Sequence, residues 1–186
     1  MRISGGTARG ARLRGTRRGG VRPTSDRVKD ALFNTLRPIL EGARVLDLFA
    51  GTGRLGIEAL SRGAQEAVFV ERAPRNAALI KENLAGAGLI ERGTVRRANV
   101  LTEVATLGRR GETFDLILLD PPYGQDLQAA TLRAVAVAGV LAAGGLAVAE
   151  GHWRDDPGTV QGLERVREAR YGETAVWFYN RKEGGA

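Results

Sequence analysis

Apolar and polar positions along most of this chain switch between two periods. Short apolar runs of the kind buried strands need recur at Arg44-Val45-Leu46-Asp47-Leu48-Phe49, Ala67-Val68-Phe69-Val70-Glu71, Gly93-Thr94-Val95-Arg96-Arg97, Phe114-Asp115-Leu116-Ile117-Leu118-Leu119 and Gly145-Leu146-Ala147-Val148-Ala149-Glu150. Helical spacing fills the intervals at 54–62, 74–85, briefly at 103–107, and at 126–138. Strands alternating with helices predict a parallel sheet covered on both faces. Ahead of them, Pro23-Thr24-Ser25-Asp26 is a helix-start signal with Thr24 or Ser25 as cap; Val28, Leu32, Phe33 and Leu36 follow at helical spacing, and Pro38 marks the end. Two extended runs close the chain, 163–170 and 174–179, joined by Tyr171-Gly172-Glu173; they predict an antiparallel edge. Residues 1–22, rich in Gly and Arg, read as a hairpin or mobile arm. The expected architecture is a single α/β domain over 23–186, with a doubly wound, mostly parallel sheet and a basic arm in front.

Composition narrows the chemistry. The 186 residues suit one full domain, and 43% are hydrophobic, which supports an ordinary core. With no cysteine, disulfides, thiolate zinc sites and cysteine nucleophiles are excluded, and with His152 the sole histidine so is a multi-histidine metal site; no metal is expected. No apolar stretch has the length of a membrane span and the N-terminus lacks a secretion signal, so a soluble cytoplasmic protein is the default. The net charge of +7 is concentrated rather than spread. Residues 1–30 hold nine basic side chains against two acidic ones, while the rest of the chain carries 19 of each. A basic arm on a neutral body points to a polyanion, most often nucleic acid. The candidate contacts are Arg2, Arg9, Arg12, Arg14, Arg17, Arg18, Arg22 and Arg27.

The first strand leads into Asp47-Leu48-Phe49-Ala50-Gly51-Thr52-Gly53-Arg54-Leu55-Gly56, where Gly51, Gly53 and Gly56 form G-x-G-x-x-G. Such glycines let backbone turn tightly and approach a ligand. Asp47 argues against a dinucleotide, since a carboxylate there repels pyrophosphate and favours a cationic or amine-bearing ligand. Glu71, 20 residues after Gly51, ends the second strand, where it can accept from ribose hydroxyls. Ribose plus a positive head describes S-adenosylmethionine. After the third strand, Asn99 can accept from an adenine amino group or cap a helix. The cofactor-binding set is therefore Asp47, Phe49, Gly51, Thr52, Gly53, Glu71, Asn99 and Asp120.

Asp120-Pro121-Pro122-Tyr123 is the catalytic candidate. Two prolines cannot continue a central strand, and they stiffen the chain as it leaves the sheet. A nucleobase amino nitrogen is a poor nucleophile because its lone pair is delocalised into the ring. The Asp120 carboxylate and the Pro121 carbonyl can accept its two protons, and Tyr123 can stack on the base at about 1–3 kcal/mol. Fixing both reactants in line can supply roughly 7–11 kcal/mol of the barrier. A base inside a duplex cannot reach such a pocket, so the target is single-stranded or flipped out. Adenine and cytosine amino methyltransferases share this logic but more often begin it with Asn. His152 and Trp153 follow the fifth strand and can line the pocket rim, though a surface loop is the better reading for both, and Glu173 reads as an ordinary hairpin carboxylate.

These pieces, with Arg2-Ile3-Ser4-Gly5-Gly6, Arg22-Pro23-Thr24-Ser25-Asp26-Arg27-Val28, Glu58-Ala59-Leu60-Ser61-Arg62-Gly63-Ala64 and Tyr171-Gly172-Glu173-Thr174-Ala175, resemble the 16S rRNA guanine-N2 methyltransferases, RsmD-like, nearly end to end. The resemblance implies a seven-stranded, Rossmann-like class I methyltransferase fold and S-adenosylmethionine as cofactor. It also implies transfer to one guanine N2 of 16S rRNA, with an assembled or partly assembled 30S particle as substrate; a monomeric enzyme is expected. The chain departs from the pattern at Ala73 and Asn99, where related sequences more often have Asp; both positions bear on cofactor affinity more than on reaction type.

Overall fold

The computed structural model describes residues 1–15, 23–122 and 127–182, with the side chains of 23–26 outside the description. Its elements run α1 (Pro23–Leu40), β1 (Arg44–Leu48), α2 (Arg54–Ser61), β2 (Glu66–Val70), α3 (Pro74–Gly86), β3 (Gly93–Arg96), α4 (Val100–Arg109), β4 (Phe114–Leu119), α5 (Leu127–Ala138), β5 (Leu141–His152), β6 (Leu163–Tyr171) and β7 (Thr174–Arg181). They build one seven-stranded sheet in the order β3-β2-β1-β4-β5-β7-β6. The first five strands are parallel, and β7 lies antiparallel between β5 and β6. The chain winds outward from β1 through β2 to β3, then crosses to β4 on the other side of β1. The strand order thus reverses between β1 and β4, and ligands of open α/β sheets bind at the carboxyl ends there.

Each parallel strand sends alternate side chains to opposite faces. Val45, Leu116, Leu118 and Val148 pack with Phe33 and Leu36 of α1, Ile57 and Leu60 of α2, and Ile80 of α3. Leu46, Leu48, Ile117 and Ala149 pack on the other face with Val104 and Leu107 of α4 and Leu132 and Val135 of α5. The continuous apolar runs in the sequence follow from burial on both sides. No helix among the described residues is long and apolar enough to cross a membrane.

The described part of the arm is docked on this body. Arg2 and Arg12 form an antiparallel bridge, and Ile3 and Leu13 are buried in the first core. Glu58 of α2, fully buried, accepts from the backbone N–H groups of Ser4 and Gly5 and from the Ser4 hydroxyl. It is also paired with Lys29 at 2.8 Å and Arg62 at 2.7 Å. Burial works against the Glu58 charge, but these donors outweigh it and hold its carboxyl below the ordinary value. Lys29 meets Glu58 while Arg62 stacks over Phe33, so α1 and α2 run side by side in the same direction. Because α2 begins at the carboxyl end of β1, the first turn of α1 also lies at the ligand-binding end of the sheet.

Three boundaries differ from the sequence-based expectation. Pro38 sits inside the last turn of α1, which continues to Leu40, since a proline there removes one bond near an end already short of partners. The helix expected at 103–107 starts at Val100, where Asn99 caps it. β5 begins four residues early, at Leu141, through Ala142-Ala143-Gly144-Gly145, a stretch with no strand-forming pattern that accompanies a register shift against β4.

Candidate active site

A cavity of about 580 Å³ opens at the carboxyl ends of β1, β2 and β4. Its walls are the glycine loop (Phe49, Gly51), the end of β2 (Val70, Glu71, Arg72), Asn76 of α3, the entry to α4 (Asn99, Val100) and Asp120, Pro121, Pro122 and Leu127. The size lies within the usual range for small-molecule sites.

The loop is held in an unusual conformation. Phe49 has φ +62°, the only non-glycine positive φ among the described residues, and Gly51 follows at +57°. Such backbone costs on the order of 1–3 kcal/mol and persists only where neighbours over-determine it. Glu71 supplies that constraint: its two carboxylate oxygens accept from Gly51 N–H (2.9 Å) and Ala73 N–H (2.7 Å). Glu71 thus clamps the loop to the end of β2 while facing the cavity. Gly56 has a different task. A Cβ on it would lie 2.3 Å from the Phe69 ring, so the third glycine of the motif permits close packing of α2 on β2.

Asp47 does not line the cavity. It is 1% exposed beneath the loop, where its Oδ2 accepts from Gly56 N–H at 2.9 Å, so it anchors the start of α2. Burial, joined by the Asp120 and Glu71 charges and opposed by the Gly56 N–H and Arg54, pushes its carboxyl up to about 7. Thr52 and Gly53 also sit outside the walls; the Thr52 carbonyl accepts from Asn83, and Gly53 begins α2 with φ +79°. Asn99 lines the cavity, yet its side-chain oxygen accepts from Leu101 and Thr102 N–H as a helix cap.

Asp120 stands at the end of β4 on the same face as Asp47, two residues beyond Leu118. Glu150 stands likewise at β5, two residues beyond Val148, and is 5% exposed. Arg54, the first residue of α2, reaches across both, with Nη2 at 3.9 Å from Asp120 Oδ2 and 3.6 Å from Glu150 Oε2. No hydrogen bond reaches that Glu150 oxygen. Burial raises the Asp120 carboxyl against the pull of Arg54. Burial and then the Asp120 charge push Glu150 up to about 7, again with Arg54 opposing. Burial thus pushes up three neighbouring carboxyls, Asp47, Asp120 and Glu150, and Arg54 opposes the rise at each. Among the described residues no group of side chains could hold a metal ion.

Of the expected catalytic set, Asp120, Pro121 and Pro122 line the cavity, while Tyr123 lies outside the described residues. Of the candidate RNA contacts, Arg2, Arg9, Arg12, Arg14 and Arg27 are all exposed, Arg14 beside Glu82 at 3.0 Å; Arg17, Arg18 and Arg22 lie outside the described residues. Arg54, Glu150, Arg72 and Asn76 were not singled out from the sequence. Glu150 carried a usable signal, since it closes an apolar run as Glu71 and Asp120 do; Arg54 carried only its place after the glycine loop.

A seven-stranded sheet with antiparallel β7 inserted beside β5, and a glycine loop and Asp-Pro-Pro at its switch point, defines the class I methyltransferase fold. Residues 1–180 match the family described as Conserved hypothetical protein 95. The chain is 37% identical over 184 residues to Putative rRNA methyltransferase YlbH of Bacillus subtilis, covering 98% of this chain and all of that one. It is 34% identical to Ribosomal RNA small subunit methyltransferase D of Escherichia coli, covering all of this chain and 92% of that one. Among solved structures, the putative methyltransferase yhhF from Escherichia coli superposes with a TM-score of 0.85 at 33% identity, covering 98% of both chains. The chain belongs to this family, that of the small-subunit ribosomal RNA methyltransferase D proteins and their relatives.

Proposed function

We propose that the protein transfers a methyl group from S-adenosylmethionine to the exocyclic N2 of a guanine in 16S rRNA, acting as a monomer on an assembled or partly assembled 30S particle. The observation that carries the reading is the placement of Asp120 and Pro121 on the wall of the same cavity as Gly51 and Glu71. The cavity fits the cofactor: Phe49, Val70, Val100 and Leu127 offer apolar surface to a purine, Gly51 exposes backbone, and Glu71 puts a carboxylate where a ribose would lie. Bound there, S-adenosylmethionine supplies an electrophilic methyl group. The relatives' names support ribosomal RNA of the small subunit as substrate. The exposed arginines of the docked arm support a polyanionic one.

The chain's own residues then do three things. Asp120 and the Pro121 carbonyl accept the amine protons, which draws the nitrogen toward tetrahedral geometry and frees its lone pair. Burial raises the Asp120 carboxyl, and Arg54 works against that rise, favouring the ionised form that accepts the proton. The rigid Pro121-Pro122 segment holds the acceptors in place, which limits the entropy lost on reaction. Asp120→Ala is expected to abolish transfer to 30S particles while the dissociation constant for S-adenosylmethionine, measured by calorimetry, changes by less than about tenfold. Retained turnover in that variant contradicts the assignment. Transfer to adenine or cytosine in place of guanine would replace the guanine reading by the related amino-methyltransferase one.

A further inference from the structure

The strand that carries Glu150 continues past the active site into an exposed aromatic and cationic cluster. His152 ends β5 and Trp153 follows it; their rings stack with centroids 5.8 Å apart. Trp153 is 37% exposed and is the one aromatic among the exposed large hydrophobic residues described. Two guanidinium groups lie over its ring, Arg170 of β6 at 4.4 Å and Arg154 at 5.1 Å from the centroid. The cluster is fixed from below: Trp153 N–H donates to the Glu173 carbonyl (3.0 Å), Arg170 Nε to the Gly172 carbonyl (2.9 Å) and Arg154 N–H to His152 Nδ1 (3.2 Å). Neighbouring Arg165, by contrast, is committed to Asp156, Glu168 and the Tyr179 hydroxyl.

We infer that Trp153, Arg154 and Arg170 form a docking platform for the single-stranded RNA segment flanking the target base. This rests on the methyl-transfer reading above and adds a substrate contact outside the basic arm. Trp153 lies three residues beyond Glu150, about 10 Å of extended chain, so the platform sits within a few nucleotides of a base held at Asp120. Stacking the guanidinium groups on the indole orients their remaining N–H groups outward at little entropic cost, as phosphate recognition requires. The exposed planar guanidinium groups over the indole offer a base a stacking surface without sequence preference. The exposed arginines of the docked arm, held against α1 and α2, are a second arginine-bearing surface for the same RNA.

The protein reports on this surface directly, because its two tryptophans are Trp153 and Trp177, and Trp177 is fully buried. In a Trp177→Phe background, titration with a short single-stranded RNA is expected to quench Trp153 emission and to shield it from acrylamide. In the otherwise native chain, Trp153→Ala is expected to raise KM for the RNA substrate about tenfold with kcat within twofold, and Trp153→Phe to restore most of the loss. The Arg154→Ala/Arg170→Ala double variant is expected to lower the salt slope of RNA binding by about 1.4, at roughly 0.7 per phosphate contact. RNA that binds, by anisotropy, without altering Trp153 emission, or an unchanged salt slope in the double variant, overturns the platform. RNA that perturbs Trp153 while 30S particles are never methylated overturns the catalytic reading and leaves the platform standing.

Discussion

Replacing Arg54 by methionine tests the electrostatics of the site most sharply. The side chain keeps its bulk beside the sheet and loses only the charge. Arg54 lies 3.9 Å from Asp120 and 3.6 Å from Glu150, so each attraction is about 4 kcal/mol at an effective dielectric constant near 20. The Asp120 side chain is 34% exposed, and water screens part of this, leaving about 1.5–2 kcal/mol. Without that term burial acts unopposed, and Asp120 holds its proton to higher pH still. In single-turnover methyl transfer to 30S particles, Arg54→Met is expected to slow the reaction about 10- to 30-fold on the acidic limb of the pH profile and by less than about threefold on its alkaline plateau. The acidic limb of the profile moves upward while its plateau survives. Loss by one constant factor at every pH would mean that Arg54 only shapes the loop, and an unchanged profile would mean that it does not govern Asp120 at all.

Further expectations follow from the same contacts. Asp47, with its carboxyl at about 7 when folded and far lower when unfolded, contributes stability that is present at acid pH and lost as pH rises through about 7. Asp47→Asn, which can still accept from Gly56, is therefore expected to raise stability at about pH 8 by about 2–4 kcal/mol and to leave it nearly unchanged near pH 4, by denaturant melts. A drop at pH 8 contradicts that sign. Gly56→Ala forces a methyl to 2.3 Å from Phe69 and is expected to cost about 1–3 kcal/mol or more, and an unchanged melting temperature would show that the packing yields. Lys29→Met leaves buried Glu58 with one cation fewer and is expected to cost about 3–5 kcal/mol and to speed proteolysis of residues 1–15; an intact arm would show that Arg62 suffices.

Much of this was legible in the sequence because burial on both faces writes itself as apolar runs. β1, β2, β4 and the second half of β5 fall where such runs lie; half-buried β3 and mostly exposed β6 were legible as extended runs, and the two terminal runs pair as expected. The glycine loop, Glu71 and Asp120 were found because strand ends followed by turns are marked in composition. What escaped depends on distances across the sheet. Glu71 looked like a ribose acceptor, and its grip on the Gly51 and Ala73 N–H groups needed coordinates. Asp47 looked like a ligand contact because its position beside the loop gave no hint that the side chain turns under it. Arg54 and Glu150 are 96 residues apart and meet only because β5 lies beside β4. The arm read as hairpin or mobile because Arg and Gly dominate it; Ile3 and Leu13, two apolar residues in a polar stretch, are what pin it.

The central claim is methyl transfer to a guanine amino group of small-subunit ribosomal RNA. The measurement that tests it most directly offers S-adenosylmethionine carrying a labelled methyl group to 30S particles lacking the modification, to naked 16S rRNA and to duplex DNA, then maps the labelled base. The account predicts label on the N2 of one guanine of 16S rRNA, none on DNA, and none anywhere with Asp120→Ala. Label on another base, on DNA, or surviving in that variant would contradict it.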